Sequence, residues 1–161
     1  MSVVVTIPRK SRLSTLIDKP GGVSVGVALV QARTNLEALN LRSVKIVADR
    51  ITELVRLSPP AADDPDPLAR RQKAYELSNA VIDAAHPFER DDLCSVAAGL
   101  CDLIDAAPAG RPFDWRIVTV HAQAMQLILS LPPEAADVRR EILASLGQVL
   151  AKKIPNQAGD A

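Results

Sequence analysis

The sequence predicts an all-α protein, an antiparallel helical bundle with one long N-terminal helix, and three observations lead there. First, residues 24–57 hold no proline, and their only glycine, Gly26, lies in the first turn. Apolar or small residues recur there at Val25, Leu29, Ala32, Leu36, Leu39, Val47, Ile51 and Leu54. That three-and-four spacing places them on one face of a helix. Second, prolines further on cluster at Ser58–Pro67, Pro87, Pro108–Pro112 and Pro132–Pro133, and they cut the remaining chain into segments of helical period. Third, no segment sustains the alternation of a half-buried strand.

The long helix, 24–57, would reach roughly 50 Å at 1.5 Å per residue. Arg33, Glu37, Arg42, Lys45, Asp49, Glu53 and Arg56 take most of its other surface, and Ser24 is a suitable N-cap. Residues 58–67 form a Pro/Asp linker in which Asp66 caps a helix with Pro67 at its first position. A four-helix region, 67–153, follows, with helices expected at Pro67–Ala85, Glu89–Ala106, Trp115–Leu131 and Pro133–Lys153. Asp114 is the expected cap of the third of these, and Phe113 with Val118 has staple spacing. That helix is apolar on more than one side and is the expected most buried element. Short loops make neighbouring helices antiparallel. Residues 1–22 read as a flexible basic arm, 23–154 as one helical domain and 155–161 as a disordered tail. The long helix's apolar stripe outruns the helices available to cover it, so a homodimer is expected.

Composition narrows the function classes. Lys plus Arg, 19, equals Asp plus Glu, 19. A neutral chain lacks the cationic surplus of a nucleic-acid binder or a polybasic membrane-surface protein. Aromatic residues are only 2%, so no large aromatic pocket is expected. No apolar run approaches the ~20 residues of a membrane span, and Val3–Val5 is too short for a signal peptide. Cys94 and Cys101 are seven apart on a helix, which separates their Cα atoms by about 10 Å, beyond the ~7 Å reach of a disulfide. Reduced, buried thiols suit a cytoplasmic location. No histidine stands at metal spacing from them, so neither a metal nor another cofactor is expected.

Candidate chemistry is sparse. His121 is the one histidine inside a predicted helix, expected either as a packed or solvent-edge side chain or as the nucleophile of a phosphotransfer domain. The lysine that such a domain carries three residues on is here Ala124. Glu37 with Asn40, and Glu76 with Asn79, each set an acid and an amide on one helix face, the pair by which some response-regulator phosphatases anchor a partner and orient water. Gln123 and Gln126 offer a weaker version of that logic. In the arm, Arg9, Lys10 and Arg12 precede a Leu13, Leu16, Ile17 turn, which reads either as a disordered terminus or as a linear motif that docks on a partner.

Three stretches in this order resemble a known family. They are Arg12-Leu13-Ser14-Thr15-Leu16-Ile17 before Pro20-Gly21-Gly22, then Leu100-Cys101-Asp102-Leu103-Ile104-Asp105, then Phe113-Asp114-Trp115 leading to Val120-His121 and Met125-Gln126-Leu127. Together they resemble the small CheE-type accessory proteins of alphaproteobacterial chemotaxis gene clusters. The resemblance implies a cytoplasmic protein working beside a chemotaxis histidine kinase and its receiver-domain partners, and it carries no catalytic mechanism or active site with it; the first reading is a non-enzymatic interaction module. The alternatives are phosphotransfer or phosphatase activity, or a purely structural dimerisation module.

Overall fold

The structure, a computed structural model, describes residues 21–61, 64, 66–108 and 112–154. It is an all-α antiparallel bundle with a long N-terminal helix, and the described residues hold no strand. Five helices follow in order: α1 (Val25–Arg56), α2 (Pro67–Ala85), α3 (Asp91–Asp105), α4 (Arg116–Ser130) and α5 (Ala136–Lys153). A single 3-10 turn, His86–Phe88, separates α2 from α3.

The chain divides into two units, Met1–Leu39 and Asn40–Ala161, and the division falls inside α1. The division matches the burial pattern of α1, whose first buried side chain is Ser43. In the first unit, Ser24 caps the helix through its Oγ, which accepts from Val27 N–H at 3.3 Å. Val25 is 76% exposed, Leu36 58% and Leu39 52%. The arm, 1–20, and the tail, 155–161, lie outside the described residues.

The second unit holds the core. Val47, Ile51 and Leu54 of α1 join Ala74, Leu77 and Val81 of α2 in one cluster with α3 and α4. Polar bonds fix the ends of α1's buried stretch: Ser43 Oγ donates to the Ala84 carbonyl at 2.5 Å, and Trp115 Nε1 donates to the Leu57 carbonyl at 3.2 Å. Phe113 meets Trp115 edge-on, ring centroids 6.0 Å apart, so the pair clamps the entry to α4. Asp66 caps α2 as expected, accepting from Ala69 N–H at 2.9 Å with Pro67 in the first turn.

The most buried element is α3, not α4. Leu93, Val96, Ala97, Leu100, Cys101, Leu103 and Ile104 of α3 are all buried, and it packs on α2, α4 and α5. On α4 only one stripe is buried, Val118, His121, Ala122, Met125 and Ile128, while Val120 and Leu127 face out. On α5 only Leu146 is buried; Val138 and Val149 are exposed.

Two helix starts also differ from expectation. Glu89 takes a left-handed backbone, φ 55°, which stops any helix from beginning there, and α3 starts at Asp91. Before α5, residues 132–135 form a turn closed by Ala135 N–H on the Pro132 carbonyl at 3.1 Å. Arg139 holds that turn. Its guanidinium donates to the carbonyls of Leu131 at 2.7 Å and Pro132 at 2.9 Å. Its Nε meets Asp92 at the start of α3 at 3.0 Å. Both side chains of the pair are largely shielded, 20% and 24% exposed. Replacing Arg139 by Met keeps the aliphatic stem and removes these bonds. We expect a loss of about 1–2 kcal/mol and a Tm lower by roughly 3–6 °C. Amide exchange should quicken in α5 before α2 or α3; uniform exchange across the bundle would contradict this anchoring role.

Candidate functional site

The buried stripe of α4 places a histidine among apolar side chains. His121 is 1% exposed. Its Nδ1 lies 2.8 Å from the Ile117 carbonyl, one turn back on the same helix. A carbonyl can only accept, so Nδ1 carries the proton and Nε2 holds the lone pair of a neutral ring. Nε2 has no hydrogen-bond partner among the described residues. It points at α3, where a methyl group built on Gly99 would meet Nε2 at 3.9 Å and nothing nearer.

In front of Nε2 lies a half-open cavity of about 270 Å³. From α3 it is lined by Ser95, Val96 and Gly99, and from α5 by Leu143, Leu146, Gly147 and Leu150. None of these residues is charged, and Ser95 at the solvent edge gives its own proton to the Asp91 carbonyl at 2.7 Å. Burial in this apolar setting pushes the His121 pKa down from 6.5, with the Ile117 carbonyl opposing in part. The site can therefore accept a hydrogen bond but has no nearby carboxylate to stabilise an imidazolium.

A larger depression, about 580 Å³, lies between the start of α2 and the end of α3, beside Asp66, Arg71, Tyr75 and Asp105. It is shallow and polar, and no buried unpartnered side-chain atom faces it. Asp105 beside Tyr75 pushes that phenol's pKa up, so the hydroxyl stays protonated. At the α4 entry, hydrogen bonds from Arg116, at 2.9 Å, and from Lys153, at 3.3 Å, pull the Asp114 carboxyl down to about 2.

The other predicted residues are scattered. Glu76 and Asn79 are both exposed on α2, a turn apart, and line neither cavity. Glu76 Oε1 accepts from Gln72 at 3.4 Å. Glu37 and Asn40 lie on α1, and Gln123 and Gln126 are exposed on α4. Arg9, Lys10, Arg12, Leu13, Leu16 and Ile17 fall outside the described residues. Cys101 is buried and Cys94 half-buried, both as free thiols. Burial first, then Asp105, pushes the Cys101 thiol up to about 11, so it is inert at neutral pH. Among the described residues no cluster of His, Cys, Asp and Glu could hold a metal ion, and no helix is long and apolar enough to cross a membrane.

Sequence reasoning found His121 but missed Gly99 and Gly147. The signal was there: a glycine inside a helix costs about 1 kcal/mol relative to alanine, so two interior glycines call for a reason.

No protein-family model, curated protein or solved structure matches this chain. The site must be read from its own chemistry.

That chemistry sets a pH dependence. Above pH 6.5 the imidazole is neutral in both folded and unfolded chains. Below it, the unfolded chain takes up a proton that the folded site resists, so stability is lost as pH falls. Between pH 7.5 and 5, wild type should lose more unfolding free energy in urea than His121→Phe does. The difference is capped at about 2 kcal/mol by 1.36 kcal/mol per pH unit below 6.5. Parallel pH profiles for the two proteins would show that the ring protonates freely in the folded state.

Proposed function

We propose that this chain is a non-enzymatic helical interaction protein. It pairs with a second copy of itself through the N-terminal half of α1 and modulates a bacterial chemotaxis or two-component pathway by binding a kinase or receiver domain. The observation behind the pairing is the exposed stripe of Val25, Leu29, Leu36 and Leu39, with Ala32 between them. Their spacing, four then three in alternation, is the 3.5-residue repeat of a coiled-coil seam. The same face further along the sequence, Val47, Ile51 and Leu54, is fully committed to the core. A self-complementary seam is what a two-fold pair of identical helices requires.

The pathway rests on the resemblance in the arm, in α3 and in the α4 entry. Two features favour binding over catalysis. A phosphotransfer histidine has to meet a receiver's aspartyl phosphate, and His121 is enclosed by α3, α4 and α5. Asp114 and Trp115, within the resembling stretch, are occupied in bonds that hold the fold. The phosphatase reading keeps one observation, the exposure of both Glu76 and Asn79 on adjacent turns of α2.

Light scattering tests the pairing. Wild type should show twice the chain mass of 17.2 kDa across the micromolar range. Leu29→Glu with Leu36→Glu should show a single chain while the bundle's cooperative melting persists. A wild type that stays monomeric refutes the seam. Capture from native extract, with and without a phosphodonor, tests the pathway: a chemotaxis kinase or receiver should be enriched. Replacing Arg9, Arg12 and Leu16 by Ala should lower that enrichment at least about tenfold, a loss of 1.4 kcal/mol or more. Unchanged capture would exclude the arm. Faster phosphate loss from the captured receiver, abolished by Asn79→Ala, would favour the phosphatase instead.

A further inference from the structure

We propose that the cavity before His121 is a binding site for a small apolar molecule that donates one hydrogen bond, such as a phenol, an indole or a short-chain alcohol, with Nε2 as the acceptor. This is independent of the dimer and of any signalling partner.

Two independent observations lead to the site. One is the acceptor itself. A ring 1% exposed, its Nδ1 bonded to Ile117, keeps a lone pair on Nε2 that no described residue satisfies. The atom reaches the half-open cavity, so that lone pair is left for whatever occupies the space. The other is how the space arises. Neither glycine is forced by sterics or backbone conformation. A methyl on Gly99 would touch only Nε2, at ordinary contact distance, and one on Gly147 would meet nothing within 4 Å. Neither has a positive φ. Alanine at either position would favour the helix by about 1 kcal/mol, so what these glycines provide is volume in front of the imidazole.

The remaining walls define the ligand. Val96, Leu143, Leu146 and Leu150 offer only hydrocarbon, and no charged residue lines the cavity to take a carboxylate, a phosphate or an ammonium. A cavity on the order of 150 Å³ admits a benzene-sized molecule. At about 270 Å³ this one takes a single ring or a fused pair. A neutral imidazole then selects, among apolar molecules of that size, those with an O–H or N–H.

The test is side-chain and amide NMR on the full-length protein, titrated with phenol, indole and toluene. Phenol and indole should move the His121 Nε2 resonance and the Gly99 and Gly147 amides together, and saturably. Toluene, equal in shape but without a donor, should bind about five- to tenfold more weakly. Gly99→Ala is the decisive variant, because its stability should rise while its phenol affinity falls at least about tenfold. His121→Phe should remove the preference for phenol over toluene. No saturable shift with phenol, or equal affinity for toluene, overturns the proposal. So does an N-acetyl tyrosine amide that binds as well as phenol, since that would assign the cavity to a side chain of a protein partner.

Discussion

Burying Leu93, Val96, Ala97, Leu100, Cys101, Leu103 and Ile104 on one helix of 15 residues leaves α3 almost no free face. Three neighbours must cover it, and the rest of the second unit is arranged to do so. From one side α2 brings Ala74, Leu77, Val81 and Ala85; from another α4 brings Val118, Ala122, Met125 and Ile128. Small residues on α3 let those helices come close, and Leu93 and Leu100 fill what remains. Each buried side chain of that size contributes about 1.5–3 kcal/mol relative to exposure, so the α2–α3–α4 contacts dominate the bundle's stability.

The third side of α3 is covered differently. With only Leu146 fully buried, α5 packs through Leu146 and the half-buried Ile142 and Leu143, and polar bonds tie its ends, Arg139 to Asp92 at one and Lys153 to Asp114 at the other. Exposed pairs of this kind contribute little; the Arg139 pair, being shielded and joined to three carbonyls, contributes more. A helix held by its ends can span a gap in its middle. The gap is the space that Gly99 and Gly147 both line, with His121 at its wall. Loose packing there is therefore a local property of the α3–α5 contact and not a defect of the core, which is closed around Leu100 and Met125.

Much of the architecture was legible because it depends on short-range signals. Asp66-Pro67 announces a capped helix start, and α2 spans Pro67–Ala85 as that signal predicts. Ser24 does the same for α1. The burial of His121 stayed open in the sequence, and the structure closes it by setting the ring on one stripe with Val118, Ala122 and Met125. What could not be read depends on contacts distant in sequence. That α3 rather than α4 is central follows from three partners, not from its own composition, since both helices are comparably apolar. The late start of α5 follows from Arg139 claiming the carbonyls of residues 131–133, and the positive φ of Glu89 from the join between α2 and α3. The cavity was invisible for the same reason: two glycines 48 positions apart become one space only when α3 and α5 are side by side.

The two parts of α1 have different reasons to be helical. From Ser43 onward, tertiary packing of Val47, Ile51 and Leu54 stabilises the helix whatever its propensity. Before it, Val25, Val27, Val30 and Thr34 are β-branched and Gly26 is worse still, so intrinsic propensity contributes little. A segment of about 17 residues with such a sequence is marginal as an isolated helix in water. Leu29, Leu36 and Leu39 stand exposed at a regular coiled-coil spacing along it, an apolar stripe rather than scattered single residues. The proposed pairing would supply both missing terms at once: it would bury the seam and share the cost of helix formation between two identical helices. Stability of that segment and its association are, on this account, one equilibrium rather than two.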